Sequence, residues 1–397
     1  MKAGIYVHIP FCLKKCHYCS FNSIPYNRKT AEGYVTALKQ EIVSCVHPHP
    51  RPSPLKGEGI KELEPISLYV GGGTPTVLPW EGLSSLLDLL FEKFKIQEGT
   101  EATLEANPGT LGGIDLGGLL RLGINRVSLG AQSFDPAELK MLGRLHGPEE
   151  VAGSVRRLKE AGCRNIGIDL IYSLPGQDIA SWKRSLERAL ELDTQHISLY
   201  GLSIEEGTAL YAEFKAGRLV SPPEPVQVDM YLLAVEMLEK AGFKRYEISN
   251  FARPGFECLH NLNYWSCGEY IGLGAGAHSY IGGVRSENAA SIREYIEALT
   301  KGGSPAAASE ELSGGEKERE YIMLGLRKAE GIDLAEFKEL FGRDLGVSAR
   351  EKIMALKAAG YLEPEEARLR LTIKGVLASN SVTSLFFNPP PSGRGAG

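Results

Sequence analysis

No apolar run in the chain approaches the roughly 18 residues that a membrane-spanning helix requires, so no transmembrane segment is expected. The opening "MKAGIYVHIPFC" has neither the apolar h-region nor the small-residue cleavage site of a secretory signal, which leads us to expect a cytoplasmic protein. A basic surplus is also missing. The net charge is −5 over 397 residues, which gives no global field to recruit nucleic acid, and no such partner is expected. The seven cysteines are odd in number and come without a secretion signal, so reduced thiols and metal binding are expected rather than disulfides. The most specific absence lies in "FCLKKCHYCSF" (11–21), where Phe21 stands at the place a C-x-C pair would give a fourth cysteine. A closed zinc site, or an iron–sulfur cluster held entirely by protein, takes four ligands. Cys12, Cys16 and Cys19 are three. Either a distant residue completes the set or one metal corner stays open.

What is present describes an ordinary folded protein: 43% hydrophobic and 23% charged residues, with 46 glycines, and a length that suits one large domain and a smaller one. Six β-rich runs recur: "GIYVHI" (4–9), "ISLYV" (66–70), "ATLEA" (102–106), "NRVSLG" (125–130), "NIGIDLIY" (165–172) and "HISLYGL" (196–202). Helical patterns separate them, so a parallel sheet with right-handed crossovers follows. The expected fold is α/β, a partial (β/α)6 TIM-type barrel over 1–205, with an open doubly wound sheet as the alternative. Residues 206–310 are expected to complete the barrel. From 311 to 387 the pattern turns to helices and a hairpin, "YLEPEEARLRLT", which suggests a winged-helix-like α+β domain. The Pro- and Gly-rich segments 46–60 and 388–397 have too little apolar content to pack and are expected to be disordered.

The unusual polar residues fall at the ends of these strands. The cysteine loop follows the first, Gly71–Thr74 the second, Glu105 lies on the third, Gln132 follows the fourth and Asp169 lies on the fifth. Parallel βα folds bind ligands at that edge, so one shared site is expected. Soft thiolates select iron–sulfur clusters or zinc. Zinc would need a fourth ligand, for which His17 or His8 is placed. In a [4Fe–4S] cube, three thiolates leave one iron with exchangeable positions, open to the amine and carboxylate of a small amino acid.

C-x3-C-x2-C directly after a first strand, with Tyr18 before the last cysteine, resembles the radical S-adenosylmethionine (SAM) superfamily. "YVHIPFC", "GGGTPT", "LGAQSF" and "GIDLIYSLPGQ" are similar, in order and spacing, to the group that contains oxygen-independent coproporphyrinogen III oxidase and the heme chaperones related to it. The resemblance implies that Cys12, Cys16 and Cys19 ligate a [4Fe–4S] cluster. It implies that Tyr6, Gly72 and Glu105 line the SAM site, and that Tyr18, Gly73, Thr74, Gln132, Arg144 and Asp169 match positions holding a second SAM in the oxidase. The motif "GLGAGA" (272–277) imitates a dinucleotide fingerprint but lacks the preceding strand and crossover helix, so that reading is set aside.

Two features separate the branches. The oxidases resemble C-x3-C-x2-C-x-C, with a long extension before the first strand; here Phe21 replaces the last cysteine and the first strand begins about four residues in. "HNLNYW" (260–265) resembles the H-N-x-x-Y-W signature of the heme chaperones. That resemblance implies heme b, with His260 as axial iron ligand and Asn261, Tyr264 and Trp265 around it. The expected function is a heme chaperone, a monomer or dimer that delivers heme to recipient proteins, membrane-associated ones among them. The alternatives are the decarboxylating oxidase and a zinc-stabilised binding module.

Overall fold

The computed structural model describes residues 1–46 and 63–387. The two segments expected to be disordered, 46–60 and 388–397, lie outside these residues except for Val46, the last residue of the first helix.

Six strands pair in chain order, each parallel to the one before: β1 Lys2–Ile9, β2 Glu64–Gly72, β3 Glu101–Ala106, β4 Arg126–Gln132, β5 Asn165–Tyr172 and β6 His196–Gly201. The crossovers carry α1 Arg28–Val46, α2 Trp80–Phe94, α3 Leu116–Arg121, α4 Pro136–Met141, α5 Pro148–Glu160 and α6 Ile179–Glu191. Among these six strands the order never reverses, as a doubly wound sheet's must. Right-handed crossovers then keep the helices on one face and let the sheet curl around the other. The doubly wound alternative is excluded.

The alternation of side chains decides what each face does. Ile5, Val7, Leu68, Val70, Leu104, Val127, Leu129, Ile166, Ile168 and Leu170 are fully buried and form the apolar set of the first five strands. The helices bury matching stripes: Leu83, Leu86, Leu87 and Leu90 on α2, and Trp182, Leu186 and Ala189 on α6. Local signals fix the helix starts, as where Asp178 accepts the Ser181 amide at 2.7 Å ahead of α6, an N-cap worth about 1 kcal/mol. The other face is polar. In register across the sheet it presents Tyr6, Tyr69, Thr103 and Arg126, with Glu105 beside Ser128 and Asp169 beside Ser198. A polar inner face with an apolar face under the helices is the reverse of a barrel filled with apolar side chains.

After residue 205 the chain contributes more strand than its pattern suggests. β7 Asn250–Ala252 pairs antiparallel with β6, and β8 Tyr270–Leu273 pairs parallel with the free side of β1. Beyond β8 the sheet continues antiparallel through β9 His278–Ile281, β10 Val284–Asn288 and β11 Ala306–Glu311. β8 has only four residues and runs into the glycine-rich "GLGAGA", which hid it from a periodicity argument. The sheet order ends at separate edges, so the barrel is partial.

The chain divides into two compact units. The larger comprises Met1–Lys244, Ser249–His260 and Glu269–Glu311; the smaller comprises Arg245–Ile248, Asn261–Gly268 and the described residues from Leu312 onward. The smaller unit contains the helices Gly314–Gly325, Leu334–Phe341, Arg350–Ala358 and Ser379–Phe387, with a two-residue antiparallel ladder between Ile332–Asp333 and Arg368–Leu369. Tyr321, Phe337 and Phe341 form its aromatic centre, with ring centroids 4.8 to 5.9 Å apart. No helix of the described residues is long and apolar enough to cross a membrane.

Candidate functional site

The cysteine loop leaves the end of β1 and is closed on itself. Phe11–Cys12 pairs with Ile24–Pro25, the Tyr26 amide donates to the Cys12 carbonyl at 2.7 Å, and Lys15 Nζ donates to the Phe21 and Ser23 carbonyls at 3.1 and 3.3 Å. Cys12, Cys16 and Cys19 are free thiols, each half-buried. Tyr18 packs on the apolar group Leu142, Ile171 and Leu174 and pins the middle of the loop. Phe21 is 66% exposed, so its ring stands in solvent where the oxidase pattern has a fourth cysteine.

Neither histidine proposed for zinc is turned to the sulfurs. His17 Nδ1 donates to the Met141 carbonyl at 2.9 Å. His8 donates from Nε2 to the Asn22 carbonyl at 2.8 Å and accepts the Tyr6 hydroxyl at Nδ1, at 2.9 Å. Both ring nitrogens of His8 are engaged, and burial lowers its pKa, so the ring is neutral. Among the described residues no three of His, Cys, Asp and Glu converge on a single metal ion, which the Cys3His zinc alternative requires. The donor set does fit a polynuclear cluster. Burial pushes the Cys12 and Cys19 thiols up, and Thr74 pulls Cys12 back. Bound iron would supply the positive charge that ionises thiols so placed.

The glycines after β2 serve the loop directly. The Gly73 and Thr74 amides donate to the Ile9 and Phe11 carbonyls at 2.8 and 2.7 Å. A Cβ at Gly73 would lie 2.7 to 2.8 Å from backbone atoms of Ile9 and Phe11. Gly72, at φ +107°, has the His8 ring where a Cβ would go. At Gly72 and Gly73 the missing side chains admit β1 and the cysteine loop.

Glu105 accepts the Tyr69 hydroxyl at 2.7 Å and the Gly72 amide at 3.0 Å. Asp169 accepts the Ser128 hydroxyl at 3.2 Å. Burial raises both carboxyl pKa values, opposed chiefly by Tyr69 for Glu105 and by Ser198 for Asp169. Two half-buried carboxylates above a buried arginine, Arg126, suit the ammonium or hydroxyls of a polar ligand. Gln132 holds φ +69° at an irregularity in β4, a left-handed conformation uncommon for a residue with a side chain. Arg144 donates from Nη1 to Cys16 Sγ at 3.3 Å and from Nη2 to the Gly130 carbonyl at 2.5 Å and to Asn107 Oδ1. Asn107, at the end of β3, had no role in the sequence reading. Its only signal there is the turn "NPGT".

His260 is the residue whose position differs most from expectation. It is the second residue of α7, Leu259–Trp265, and its ring is turned into the barrel with 1% exposure. Nδ1 lies 2.8 Å from Ser67 Oγ, the ring stacks on Tyr69 at 5.1 Å and 27°, and Gly4 leaves the space it fills. Glu101 accepts the Leu259 and His260 amides, each at 2.9 Å, and fixes the start of the helix. Burial lowers the imidazole pKa to about 3, with the positive charge of Arg126 a smaller cause. As placed, this ring offers no open face to a heme. Asn261, Tyr264 and Trp265 continue α7, and the Trp265 ring carries the Arg327 guanidinium at 4.7 Å. His278 is exposed on β9 and lies 3.6 Å from Glu287.

The description "Radical SAM superfamily" fits residues 6–189, and "HemN C-terminal domain" fits residues 312–378. The chain is 37% identical over 382 residues to the heme chaperone HemW of Bacillus subtilis (strain 168), covering 96% of this chain and 98% of that one. It is 36% identical over 382 residues to the HemW of Lactococcus lactis subsp. lactis (strain IL1403), covering 96% of each. The solved coproporphyrinogen III oxidase (HemN) from Escherichia coli superposes with a TM-score of 0.81 at 25% identity, over 97% of this chain and 89% of that one.

Proposed function

The chain belongs to the radical SAM superfamily and, within it, to the family of heme chaperone HemW, and from that premise we propose that it binds heme b and delivers it to recipient proteins. The observation that carries the proposal is 37% identity to a protein of that name over 98% of its length. Phe21 in place of a fourth cysteine and "HNLNYW" at 260–265 support it. Cys12, Cys16 and Cys19 would hold a [4Fe–4S] cluster and leave one iron for SAM. When bound, the cluster supplies one-electron chemistry.

The chain's own residues prepare the SAM side. Tyr69 and the Gly72 amide aim the Glu105 carboxylate, Ser128 steadies Asp169, and Tyr6 stacks on Tyr69 at 6.3 Å. Gly73, Thr74, Gln132, Arg144 and Tyr18 surround the same strand ends. At 260–265, heme coordination by His260 requires α7 to release the ring from Ser67 and Tyr69. The described arrangement is then a heme-free state, and Asn261, Tyr264 and Trp265 are the heme neighbours once the ring is out. A cytoplasmic location, and recipients that include membrane-associated proteins, belong to the same proposal.

The oxidase is the second reading, favoured by the HemN superposition alone. Incubating cluster-loaded protein with coproporphyrinogen III, SAM and a reductant separates the two. No decarboxylation above background is expected, whereas SAM-dependent release of carbon dioxide would move the assignment to the oxidase.

A further inference from the structure

We infer that Asn107 is a positioning residue for the iron–sulfur cluster, orienting hydrogen bonds onto the sulfurs of Cys12 and Cys16 from a single side chain. The inference rests on the cluster assignment made above and adds a residue to it.

Two side chains outside the cysteine loop donate to cysteine sulfur. The Thr74 hydroxyl donates to Cys12 at 3.6 Å, and Arg144 Nη1 donates to Cys16 at 3.3 Å. They come from different parts of the sheet edge: Thr74 follows β2, whereas Arg144 follows α4. Asn107 follows β3, the strand between β2 and β4, and its amide reaches both. Nδ2 donates to Thr74 Oγ1 at 2.7 Å, and Oδ1 accepts from Arg144 Nη2.

The polarity of this chain of bonds decides its effect. A hydroxyl that accepts from an amide has its own hydrogen left to give, and here Cys12 is the acceptor. Arg144 Nη2 is held from two sides, by Asn107 Oδ1 and the Gly130 carbonyl, which fixes the guanidinium plane and points Nη1 at Cys16. A side-chain amide donates at one end and accepts at the other in this way. Aspartate lacks the donor, and a serine hydroxyl is too short to span both partners.

A purely local role for Asn107 is disfavoured by the way its turn is built. The "NPGT" turn is closed by the Asn107 main chain, whose N–H donates to Thr110 Oγ1 at 3.3 Å and whose C=O accepts the Thr110 amide at 2.9 Å. The side-chain amide takes no part in either bond. Gly130 faces the same group: a Cβ there would meet Gln132 Nε2 at 2.8 Å and Asn107 Oδ1 at 3.0 Å. Hydrogen bonds to cluster sulfurs stabilise the more negative, reduced state and raise the midpoint potential.

The test is the midpoint potential of the reconstituted cluster, read from the EPR signal of the reduced form in a redox titration. Asn107→Ala should make reduction about tenfold less favourable, a downward shift of about 59 mV for one electron. Thr74→Val, nearly isosteric, should shift it the same way by less. The double variant should match Asn107→Ala, because without Asn107 the hydroxyl is no longer aimed. An unchanged potential in Asn107→Ala, or strictly additive shifts, would overturn the inference. If Asn107→Ala fails to retain iron, Thr74→Val and Arg144→Lys decide it, since wild-type potentials in both would equally overturn it. Absence of iron and sulfide from the unmodified protein would instead defeat the cluster assignment itself.

Discussion

Alanine at Cys12, Cys16 or Cys19, one at a time, is expected to remove the broad visible absorbance of a [4Fe–4S] centre and nearly all the bound iron. With one thiolate gone, two irons of the cube would have no protein ligand, and the two remaining sulfurs lie on a single loop. That loop is held by its own bonds, Lys15 to the Phe21 and Ser23 carbonyls and Tyr26 to the Cys12 carbonyl. The variants should therefore fold and fail only to load. Cys163, buried beside the Asn165 carbonyl, and Cys45, on α1, lie outside the loop and serve as controls. Iron and sulfide analysis of anaerobically reconstituted protein makes the measurement. Full iron content in any of the three loop variants would contradict the assignment.

The second large effect concerns His260. His260→Ala removes a buried ring, its stack on Tyr69 and its bond to Ser67, leaving that hydroxyl without its partner and a void beside Gly4. A loss of about 2–4 kcal/mol of stability is expected. The pH dependence follows from the ring's depressed pKa. A pKa lowered to about 3 in the folded state, against about 6.5 unfolded, means the unfolded chain takes up the proton first. The stability supplied by the neutral ring is complete above about pH 6.5 and falls by about 1.4 kcal/mol per unit as pH drops toward 3. Denaturant titrations across that range should show the slope in the parent and a flatter limb in His260→Ala. Heme binding gives the matching test. If heme draws the ring out of the barrel, Ser67→Ala weakens the closed state and should tighten heme binding by about 2- to 13-fold, the range of one net hydrogen bond. His260→Ala should weaken it and displace the Soret band. Identical heme affinity in both variants would remove His260 from the heme site.

The contrast between these two sites explains what the sequence disclosed. The six strands were readable because each carries the period-2 alternation of one apolar and one polar face, and Glu105 and Asp169 stood out as acids inside such runs. The cysteine loop was readable because three thiols in eight residues have few other uses. Asn107 was not, because an Asn before a Pro has the composition of any turn, and its importance comes from two partners 33 residues before it and 37 after. Nor was the inward turn of His260. A seven-residue helix has no strong apolar stripe, and the pocket that takes the ring is made by Gly4, Ser67 and Tyr69 on two other strands. Tertiary packing, which no local pattern encodes, decided both.

The central claim is that this barrel carries heme rather than oxidising a porphyrinogen. Its most direct test is to load the cluster-containing protein with one equivalent of heme, remove free heme, and mix it with an apo-globin under anaerobic conditions. A Soret band on the protein, followed by its loss there as the band of the heme-loaded globin grows, is the predicted result. No retained heme, together with SAM-dependent turnover of coproporphyrinogen III, would contradict it.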